Sequence, residues 1–263
     1  MDQICKIIRL QETDSTNSYL RQYTGDEAEG MVVAVTEFQT SGRGQGTNKW
    51  ESERGSNLLF SILFRPKGVT AANQFILSMA FSNALLRALR QYVRGLMKEE
   101  AWTLEEQEDV LNAFSVKWPN DIYFRDRKLC GILIENNLQG SSIGRCIIGT
   151  GVNVNQQVFR SDAPNPVSLC QIVHVMGDRQ LLLQLILSSF HAEMKLVASH
   201  SEQIVSTYLS QLYRRRGFYP YRDSEGVFRA ELVTVEPTGL LHLRDSEGRI
   251  RKYAFKEVTF EIK

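Results

Sequence analysis

The sequence contains few of the residues that bind structural metals or form disulfide frameworks. Its 263 residues include only 4 cysteines and 4 histidines. The cysteines are far apart and form no CxxC pair, which argues against both a zinc site and a disulfide scaffold. We therefore expect reduced, buried thiols in a cytoplasmic protein. The cysteines in question are Cys5, Cys130, Cys146 and Cys170.

Long apolar runs and an excess of one charge are also absent. No stretch approaches the ~18 consecutive apolar residues of a membrane-spanning helix. The charged N-terminus lacks the apolar core of a signal peptide. A formal net charge of +1 gives no global reason to expect a nucleic acid or an anionic membrane as partner. With 43% hydrophobic residues, the chain can bury a sizeable core.

Standard nucleotide and nucleophile motifs are missing too. A Walker loop requires Lys-Ser/Thr after its last glycine, whereas Gly46 is followed by Thr47-Asn48-Lys49. A dinucleotide loop should open a helix, and residues 48–52 show no helical pattern. No GxSxG elbow is present, and the histidines lie outside the polar clusters, so we expect no histidine-based triad.

The hydrophobic pattern predicts a chain in two parts. Apolar runs at 5–10, 31–35, 57–64, 129–135 and 143–155 predict strands, and residues 72–94, 180–199 and 202–213 predict helices. After residue 213 only short strands and turns follow, which is typical of a small barrel-like β domain. We expect a ligand-binding domain at 1–213 and a β domain at 214–263. Residues 96–114 are acidic and helix-prone, and we expect a solvated insertion there.

The first polar cluster is the glycine-rich stretch 36–50, TEFQTSGRGQGTNKW. Alternating glycines let the backbone approach a ligand and direct several N–H groups into one space. Arg43 adds a forked cation suited to a phosphate or a carboxylate. Upstream, Asp14 or Ser15 is expected to cap a helix. Ser15-Thr16-Asn17 is then either that cap alone or a polar rim that contacts a small ligand.

The second polar cluster is residues 115–139. Lys117 and Asp121 flank a rigid Trp-Pro-Asn corner. Lys128 then opens a buried strand that contains Gly131, and a glycine in such a place marks close approach of a ligand or another backbone. The two clusters supply cations and amides but no obvious nucleophile. Such a set suits a reaction in which the enzyme orients substrates and stabilises charge, for example carboxylate activation by ATP. The residues alone indicate only a phosphate-handling α/β enzyme.

Read together, the motifs resemble those of biotin–protein ligases in order and in spacing. They are STN (15–17), Gln39 followed by GRG (42–44), Lys49-Trp50, KWPND (117–121), RKLCGILIE (127–135) and GTGVNVN (149–155). The resemblance implies an α+β fold: a mixed-sheet catalytic domain of class II synthetase type, flanked by helices, and a small SH3-like C-terminal barrel. It implies that biotin and MgATP give biotinyl-5′-AMP and pyrophosphate. The biotin then passes to a lysine of a biotin carboxyl carrier protein or domain of a biotin-dependent carboxylase.

The resemblance also assigns site residues. Lys128, Arg43 and Lys117 would stabilise charge during catalysis, and Asp121 is a candidate contact for the magnesium ion that accompanies ATP. The implied biotin site consists of Ser15, Thr16, Asn17, Gln39, Arg43, Gly44, Gln45, Lys128, Gly131 and Gly149. The implied ATP and adenylate site consists of Arg43, Gln45, Lys49, Trp50, Lys117, Asn120, Asp121 and Asn153.

Two features depart from the family pattern. The family loop often has arginine where this chain has Gln45, so we hypothesise that the adenylate is held less tightly or that Lys49 compensates. The other departure is the 96–114 insertion. Some family members also carry an N-terminal helix-turn-helix and repress transcription. Here the first motif begins by Thr13, and we expect no repressor activity and no DNA binding.

Two other functions remain open at this stage. A lipoate–protein ligase shares the fold and the adenylate chemistry, although its loop pattern differs from KWPND. A non-catalytic biotin or adenylate sensor would be favoured by loss of Arg43 or Lys128, and both residues are present. A homodimer formed through the sheet that carries residues 143–154 is also left open.

Overall fold

The computed structural model describes residues 5–25, 30–98, 102–161 and 164–262. The first seven strands are β1 (Cys5–Leu10), β2 (Met31–Thr36), β3 (Leu58–Phe64), β4 (Phe114–Lys117), β5 (Asp121–Phe124), β6 (Arg127–Gln139) and β7 (Ser142–Val152). The α-helices are α1 (Thr16–Arg21), α2 (Phe75–Met97), α3 (Leu104–Asn112), α4 (Leu169–Val173), α5 (Arg179–Val197) and α6 (Ser201–Ser210). The last five strands are β8 (Tyr219–Asp223), β9 (Gly226–Val235), β10 (Leu241–Asp245), β11 (Ile250–Tyr253) and β12 (Thr259–Phe260).

The first seven strands form one mixed sheet in the order β1-β2-β3-β7-β6-β5-β4. Only β1 and β2 are parallel, and the other neighbours are antiparallel. The predicted α+β class with a mixed sheet is therefore confirmed. Strand β7 lies between β3 and β6, so both of its edges are hydrogen-bonded. A homodimer formed through the sheet that carries this strand stays a prediction.

One face of the sheet carries most of the apolar core. Side chains alternate along a strand, so Phe60 and Ile62 of β3 point to the face on which α2 and α5 pack. Phe190 of α5 makes edge-to-face contact with Phe81 of α2, with ring centroids 5.1 Å apart. This packing confirms the long amphipathic helix predicted at 72–94. Burial of these side chains holds α2 and α5 against this face of the sheet.

The opposite face carries α1 and a smaller apolar cluster around Leu20 and Leu63. The expected capping of α1 is wrong in detail. Ser15 occupies the N-cap position, but its own side chain makes no capping hydrogen bond. The Asp14 carboxylate instead accepts the backbone N–H of Ser15 at 2.6 Å. The helix is short, and its buried polar residues Thr16 and Asn17 face the sheet.

The stretch at 96–114 is less of a solvated insertion than its sequence indicates. At one end Met97 completes α2 and is buried; at the other, Val110, Leu111 and Phe114 are buried. Phe114 begins strand β4. Between these ends, α3 starts at a Thr103–Glu106 capping box. Residues 99–101 lie outside the described residues. The acidic composition conceals apolar positions because α3 buries only one side.

The C-terminal strands form a second, antiparallel sheet in the order β11-β10-β9-β8-β12. The expected change to all-β structure is confirmed, whereas the exact boundary at 213/214 stays a prediction. The two sheets are in contact, since the Trp118 indole N–H donates to the Gly239 carbonyl at 3.0 Å. The Phe255 ring contacts the same indole in a tilted arrangement, at 5.9 Å between ring centroids.

The cysteines form no disulfides. Three are buried as expected, whereas Cys5 on the edge strand β1 is only half-buried. None of the helices in the described ranges combines the length and the apolar character that crossing a bilayer requires.

Candidate active site

A cavity of about 550 Å³ opens on the α1 side of the large sheet. It collects the predicted site residues from six separate stretches of sequence, with one exception. Those that line it are Ser15, Thr16, Asn17, Gln39, Arg43, Gly44, Gln45, Lys49, Trp50, Lys117, Asn120, Asp121, Lys128, Gly131 and Gly149.

Asn153 is the exception, and it does not line the cavity. Its side chain is buried and donates to the carbonyl of Val167 at 3.1 Å. Its backbone N–H donates to Leu129. Asn153 follows β7 directly, where it ties the next segment to β6. The predicted adenylate contact at Asn153 is therefore not supported by its position.

The cavity floor is made by glycines on adjacent strands. Gly131 of β6 lies opposite Gly151 of β7, and Gly149 lies opposite Leu133. A Cβ on Gly151 would come within 2.4 Å of the Trp50 indole nitrogen, and one on Gly131 within 2.7 Å of the same ring. The sequence predicted that a ligand or another backbone approaches closely at Gly131. Its close neighbour is instead the Trp50 side chain, which lies over both strands.

Gly149 is needed for another side chain. A Cβ there would lie 2.0 Å from the amide oxygen of Asn17. That oxygen accepts a hydrogen bond from the Ser61 hydroxyl at 2.6 Å. The Asn17 amide nitrogen donates to Glu135 at 2.8 Å. Asn17 is thus fixed in orientation by its neighbours in β3 and β6, above a glycine that leaves it room.

Gln39 holds the start of α1 against this polar end of the cavity. Its carbonyl oxygen accepts the backbone N–H of Thr16 at 2.8 Å and the Thr16 hydroxyl at 3.1 Å. The two segments are joined because Thr40 and Thr13 are hydrogen-bonded through their backbones. The polar rim predicted at 15–17 is therefore formed together with Gln39, and these side chains are preorganised rather than mobile.

The glycine-rich stretch folds back on itself as a short hairpin. The backbone N–H of Gly44 donates to Asn48 at 2.7 Å, and that of Trp50 donates to Gly42 at 2.9 Å. The hairpin extends over the cavity and places Arg43 on its lining. The guanidinium of Arg43 lies 3.2 Å from the Glu135 carboxylate. Backbone hydrogen bonds, the ion pair of Arg43 and the packing of Trp50 on the strand glycines hold this hairpin in place.

Lys128 and Asp121 form an ion pair on the cavity wall. The Lys128 ammonium lies 2.5 Å from the carboxylate of Asp121 and 5.9 Å from the centre of the Trp50 ring. The backbone of Lys128 is anchored by hydrogen bonds to Asn165 and Val167. The ammonium therefore projects from a rigid strand into a site whose walls are partly aromatic.

Lys117 is the second cation of the wall, and its environment is unusual. Its ammonium lies 5.5 Å from the ring centre of Tyr123 and 4.8 Å from that of Phe260 in the second sheet. Burial lowers the pKa of Lys117; Asp121 opposes this effect, and the nearby cations Lys128 and Arg214 add to it. Lys117 can therefore lose its proton more readily than an exposed lysine.

Two buried polar atoms of the lining have no hydrogen-bond partner within the described part of the chain. They are the indole nitrogen of Trp50 and the hydroxyl of Thr150. Buried polar groups normally have partners, so these two atoms are exceptions among the described residues.

Several lining residues were missed by the sequence interpretation. Gly151 could have been found, since it follows Gly149 by one strand repeat on the same face. Phe255 could not, because it comes from the turn after β11 and reaches the cavity only through contact between the sheets. The full set of missed residues is Asn48, Pro119, Tyr123, Ile132, Leu133, Thr150, Gly151, Ser161, Pro164 and Phe255.

The fold and the cavity together define an α+β protein with a preformed, cation-rich site for a small molecule. The comparisons identify its family. The chain belongs to the biotin/lipoate A/B protein ligase family, whose family model matches residues 9–153. This range contains every predicted site residue.

Individual relatives support the same family. The bifunctional ligase/repressor BirA of Salmonella typhimurium is 30% identical over 201 residues, which cover 75% of this chain. The chain spans 55% of the length of that relative. The biotin–[acetyl-CoA-carboxylase] ligase of Mycobacterium tuberculosis is 27% identical, over 75% of this chain and 67% of its own. A solved biotin protein ligase from Aquifex aeolicus, in complex with biotin and ATP, is 25% identical with a TM-score of 0.73, covering 98% of this chain and 99% of its own.

Proposed function

We propose that this chain is an ATP-dependent biotin–protein ligase. It activates biotin to biotinyl-5′-AMP and transfers the biotin to a lysine of a biotin carboxyl carrier protein or domain. The observation that carries the proposal is the meeting of three groups in one cavity: the fixed polar rim at 15–17, the Arg43 hairpin and the Lys128–Asp121 pair. The relatives with this name and the Aquifex complex with biotin and ATP support the same activity.

Biotin would bind with its ureido head at the polar end of the cavity. Gln39 holds Thr16 in place there, and Ser61 and Glu135 hold Asn17, so little conformational entropy is lost when the head binds. The glycine floor lets Asn17 and Trp50 pack close to the sheet, and these side chains border the space for the ring system. The carboxylate would then extend toward Arg43 and Lys128, whose charges attract it.

Adenylate formation requires an oxygen of the biotin carboxylate to attack the α-phosphorus of ATP, while pyrophosphate leaves with its bonding electrons. Two anions must approach, so the main task of the protein is to offset negative charge and to align the reacting atoms. Lys128 projects from a rigid strand beside the junction, and Arg43 can contact the same oxygens from the hairpin. Lys117 supplies a further cation for the phosphates.

Magnesium enters this proposal only with the nucleotide. Within 5–25, 30–98, 102–161 and 164–262 there is no group of three or more His, Cys, Asp and Glu side chains suited to a metal ion. Mg²⁺ that accompanies ATP needs only one or two protein carboxylates, and Asp121 on the cavity wall fits that role. Bound there, the ion would supply further neutralisation of phosphate charge.

In the second step the ε-amine of the acceptor lysine attacks the acyl carbon of biotinyl-AMP, and AMP leaves. The hairpin with Arg43 and Gln45 lies over the cavity, so it must let the acceptor lysine reach that carbon. The acceptor is a carrier domain of a biotin-dependent carboxylase, and the reaction belongs to the cytoplasm. We expect no part for DNA, and a sequence-specific gel shift would contradict that expectation.

The proposal is tested by pyrophosphate–ATP exchange in the presence of biotin, of lipoate, or of neither. We expect exchange with biotin alone, and its loss in Lys128→Gln. Exchange with lipoate only would assign the chain to the lipoate branch of the family. Biotin binding by calorimetry without any exchange would instead establish a sensor.

A further inference from the structure

Glu135 lies at the point where the polar rim and the glycine hairpin meet. It ends the RKLCGILIE motif on β6, and strand alternation puts it on the same face as Gly131 and Leu133, which line the cavity. Glu135 itself lies just beyond that lining. Nothing in the proposed chemistry above uses this carboxylate, although three side chains from other elements donate to it.

The two carboxylate oxygens of Glu135 have different partners. One oxygen accepts the Asn17 amide at 2.8 Å. The other accepts both Arg21 of α1, at 2.5 Å, and Arg43 of the hairpin, at 3.2 Å. Glu135 therefore connects the part of the site that would contact the biotin head to the cation that would contact the activated carboxylate.

The geometry leaves Arg43 free to act while it is held. Only one nitrogen of its guanidinium contacts Glu135, and a guanidinium has five N–H donors in a rigid fork. The remaining donors can face an anion in the cavity. Arg21 also compensates the charge: the two arginines and the single carboxylate sum to +1, so the group as a whole still attracts an anion.

We propose that Glu135 is a positioning residue that orients Asn17 through one oxygen and Arg43 through the other. The proposal rests on the function proposed above. Without this carboxylate, Arg43 would be a flexible cation at the end of a glycine-rich hairpin, and its contact with the adenylate would be less persistent. Biotinyl-AMP would then dissociate faster before it reaches the acceptor lysine.

Glu135→Gln separates the two roles. The carbonyl of glutamine still accepts the Asn17 amide, whereas its NH2 group cannot accept a hydrogen bond from an arginine. We expect the Kd for biotin to stay within about twofold of the wild type. The rate of biotinyl-AMP release should rise about fivefold, the scale of a half-exposed ion pair. Glu135→Ala, which removes both acceptors, should also weaken biotin binding.

A double-mutant cycle shows whether Glu135 acts through Arg43. Release from Arg43→Gln and from Arg43→Gln/Glu135→Gln should be equal within about twofold, because the second change then has no partner to lose. Arg21→Gln is the matched control: it removes a cation from the same oxygen of Glu135 and leaves Arg43 in place. Its release rate should stay near that of the wild type.

Three results would overturn the inference. They are release from Glu135→Gln at the wild-type rate, independent effects of the two substitutions in the cycle, and an Arg21→Gln effect as large as that of Glu135→Gln. A wild-type protein that forms no biotinyl-AMP would overturn the proposed function and this inference with it. Normal formation with an unchanged Glu135→Gln variant would overturn the inference alone.

Discussion

At the scale of single residues, Lys117 is the lysine of the cavity wall whose pKa is lowered by its environment. Its ammonium is enclosed by two aromatic rings and lies near other cations, and burial lowers its pKa. The protonated form would contact the phosphates, so a lowered pKa means that this contact is lost at a lower pH than for an exposed lysine. The same shift has a consequence for stability, because the unfolded chain binds the Lys117 proton more tightly than the folded chain does. The contribution of Lys117 to the free energy of unfolding therefore rises with pH between its lowered pKa in the folded protein and the ordinary pKa of lysine.

We therefore predict an alkaline decline in the rate of biotin-dependent exchange that depends on Lys117. In Lys117→Arg the decline should shift to higher pH, because a guanidinium stays protonated. The measurement is the pH profile of kcat for exchange in the two proteins. Lys252→Arg, on the exposed surface of the second sheet, is the control and should leave the profile unchanged. Identical profiles for the wild type and Lys117→Arg would show that another group titrates.

Gln45 is the second residue with a specific prediction. It lines the cavity on the hairpin but carries no charge. Gln45→Arg should slow the release of biotinyl-AMP about fivefold, since an added cation at a partly exposed site is worth under ~1 kcal/mol. Thr47→Arg adds the same charge to the same hairpin outside the cavity lining and serves as the control. Equal slowing in both variants would indicate a general field effect, and no slowing in Gln45→Arg would refute weaker retention.

Among the elements, the paired strands β6 and β7 decide the shape of the cavity. Their glycines exist because Asn17 and Trp50 occupy the space that a Cβ would take. The strands themselves were predictable from their apolar runs. Which side chain covers each glycine was not, because Asn17 and Trp50 arrive from α1 and from the hairpin. Local sequence shows that room is needed there and does not show what fills it.

Gly149→Ala tests this element. The new methyl group would overlap the Asn17 amide, so we expect a loss of about 1–3 kcal/mol in the free energy of unfolding. Biotin affinity should fall about tenfold or more, because Asn17 is displaced. Gly95→Ala is the matched control: it lies in α2 with open space around its Cβ position, and it should gain about 0.5–1 kcal/mol. Urea unfolding and calorimetric binding of biotin measure the two effects. Unchanged biotin affinity in Gly149→Ala would show that biotin binding does not depend on Gly149.

At the scale of the whole molecule, the second sheet takes part in the site. Phe255 lines the cavity, Phe260 contacts Lys117, and the Lys256 ammonium would lie 2.4 Å from a Cβ on Gly46 at the tip of the hairpin. The second sheet therefore touches the side of the cavity that we assign to the nucleotide. The predicted division at 213/214 falls between the last helix and the second sheet, but the lining of the cavity includes residues from both sides of it.

Phe255→Ala should consequently raise the KM for ATP several-fold and leave the Kd for biotin unchanged, because only the nucleotide side loses apolar contact. Phe218→Ala is a matched control, since Phe218 has nearly the same exposure, 40% against 38%, and lies outside the lining. Steady-state exchange at varied ATP measures the effect. An equal rise in KM for both variants would point to general damage to the second sheet.

The sequence by itself determined the large strands and helices, the two polar clusters and the change to β structure near residue 214. These depend on periodicity and on turn residues, which act over a few positions. It also placed the cations and glycines of the site, because the motifs that carry them are contiguous. It did not show that Asn153 lies outside the cavity lining, how α1 is capped or that the ends of 96–114 are buried. At these places an adjacent segment decides whether a polar or acidic stretch faces the core.

Only the tertiary structure decided which residues share the cavity. The link from Asn17 through Glu135 to Arg43 joins three elements, and the lowered pKa of Lys117 depends on burial and on the cations Lys128 and Arg214 from other segments. Burial, charge neighbours and close approach arise from contacts between segments that are distant in sequence. The conformational preferences of a short segment cannot determine these contacts, because those preferences are the same whether or not the second segment is nearby.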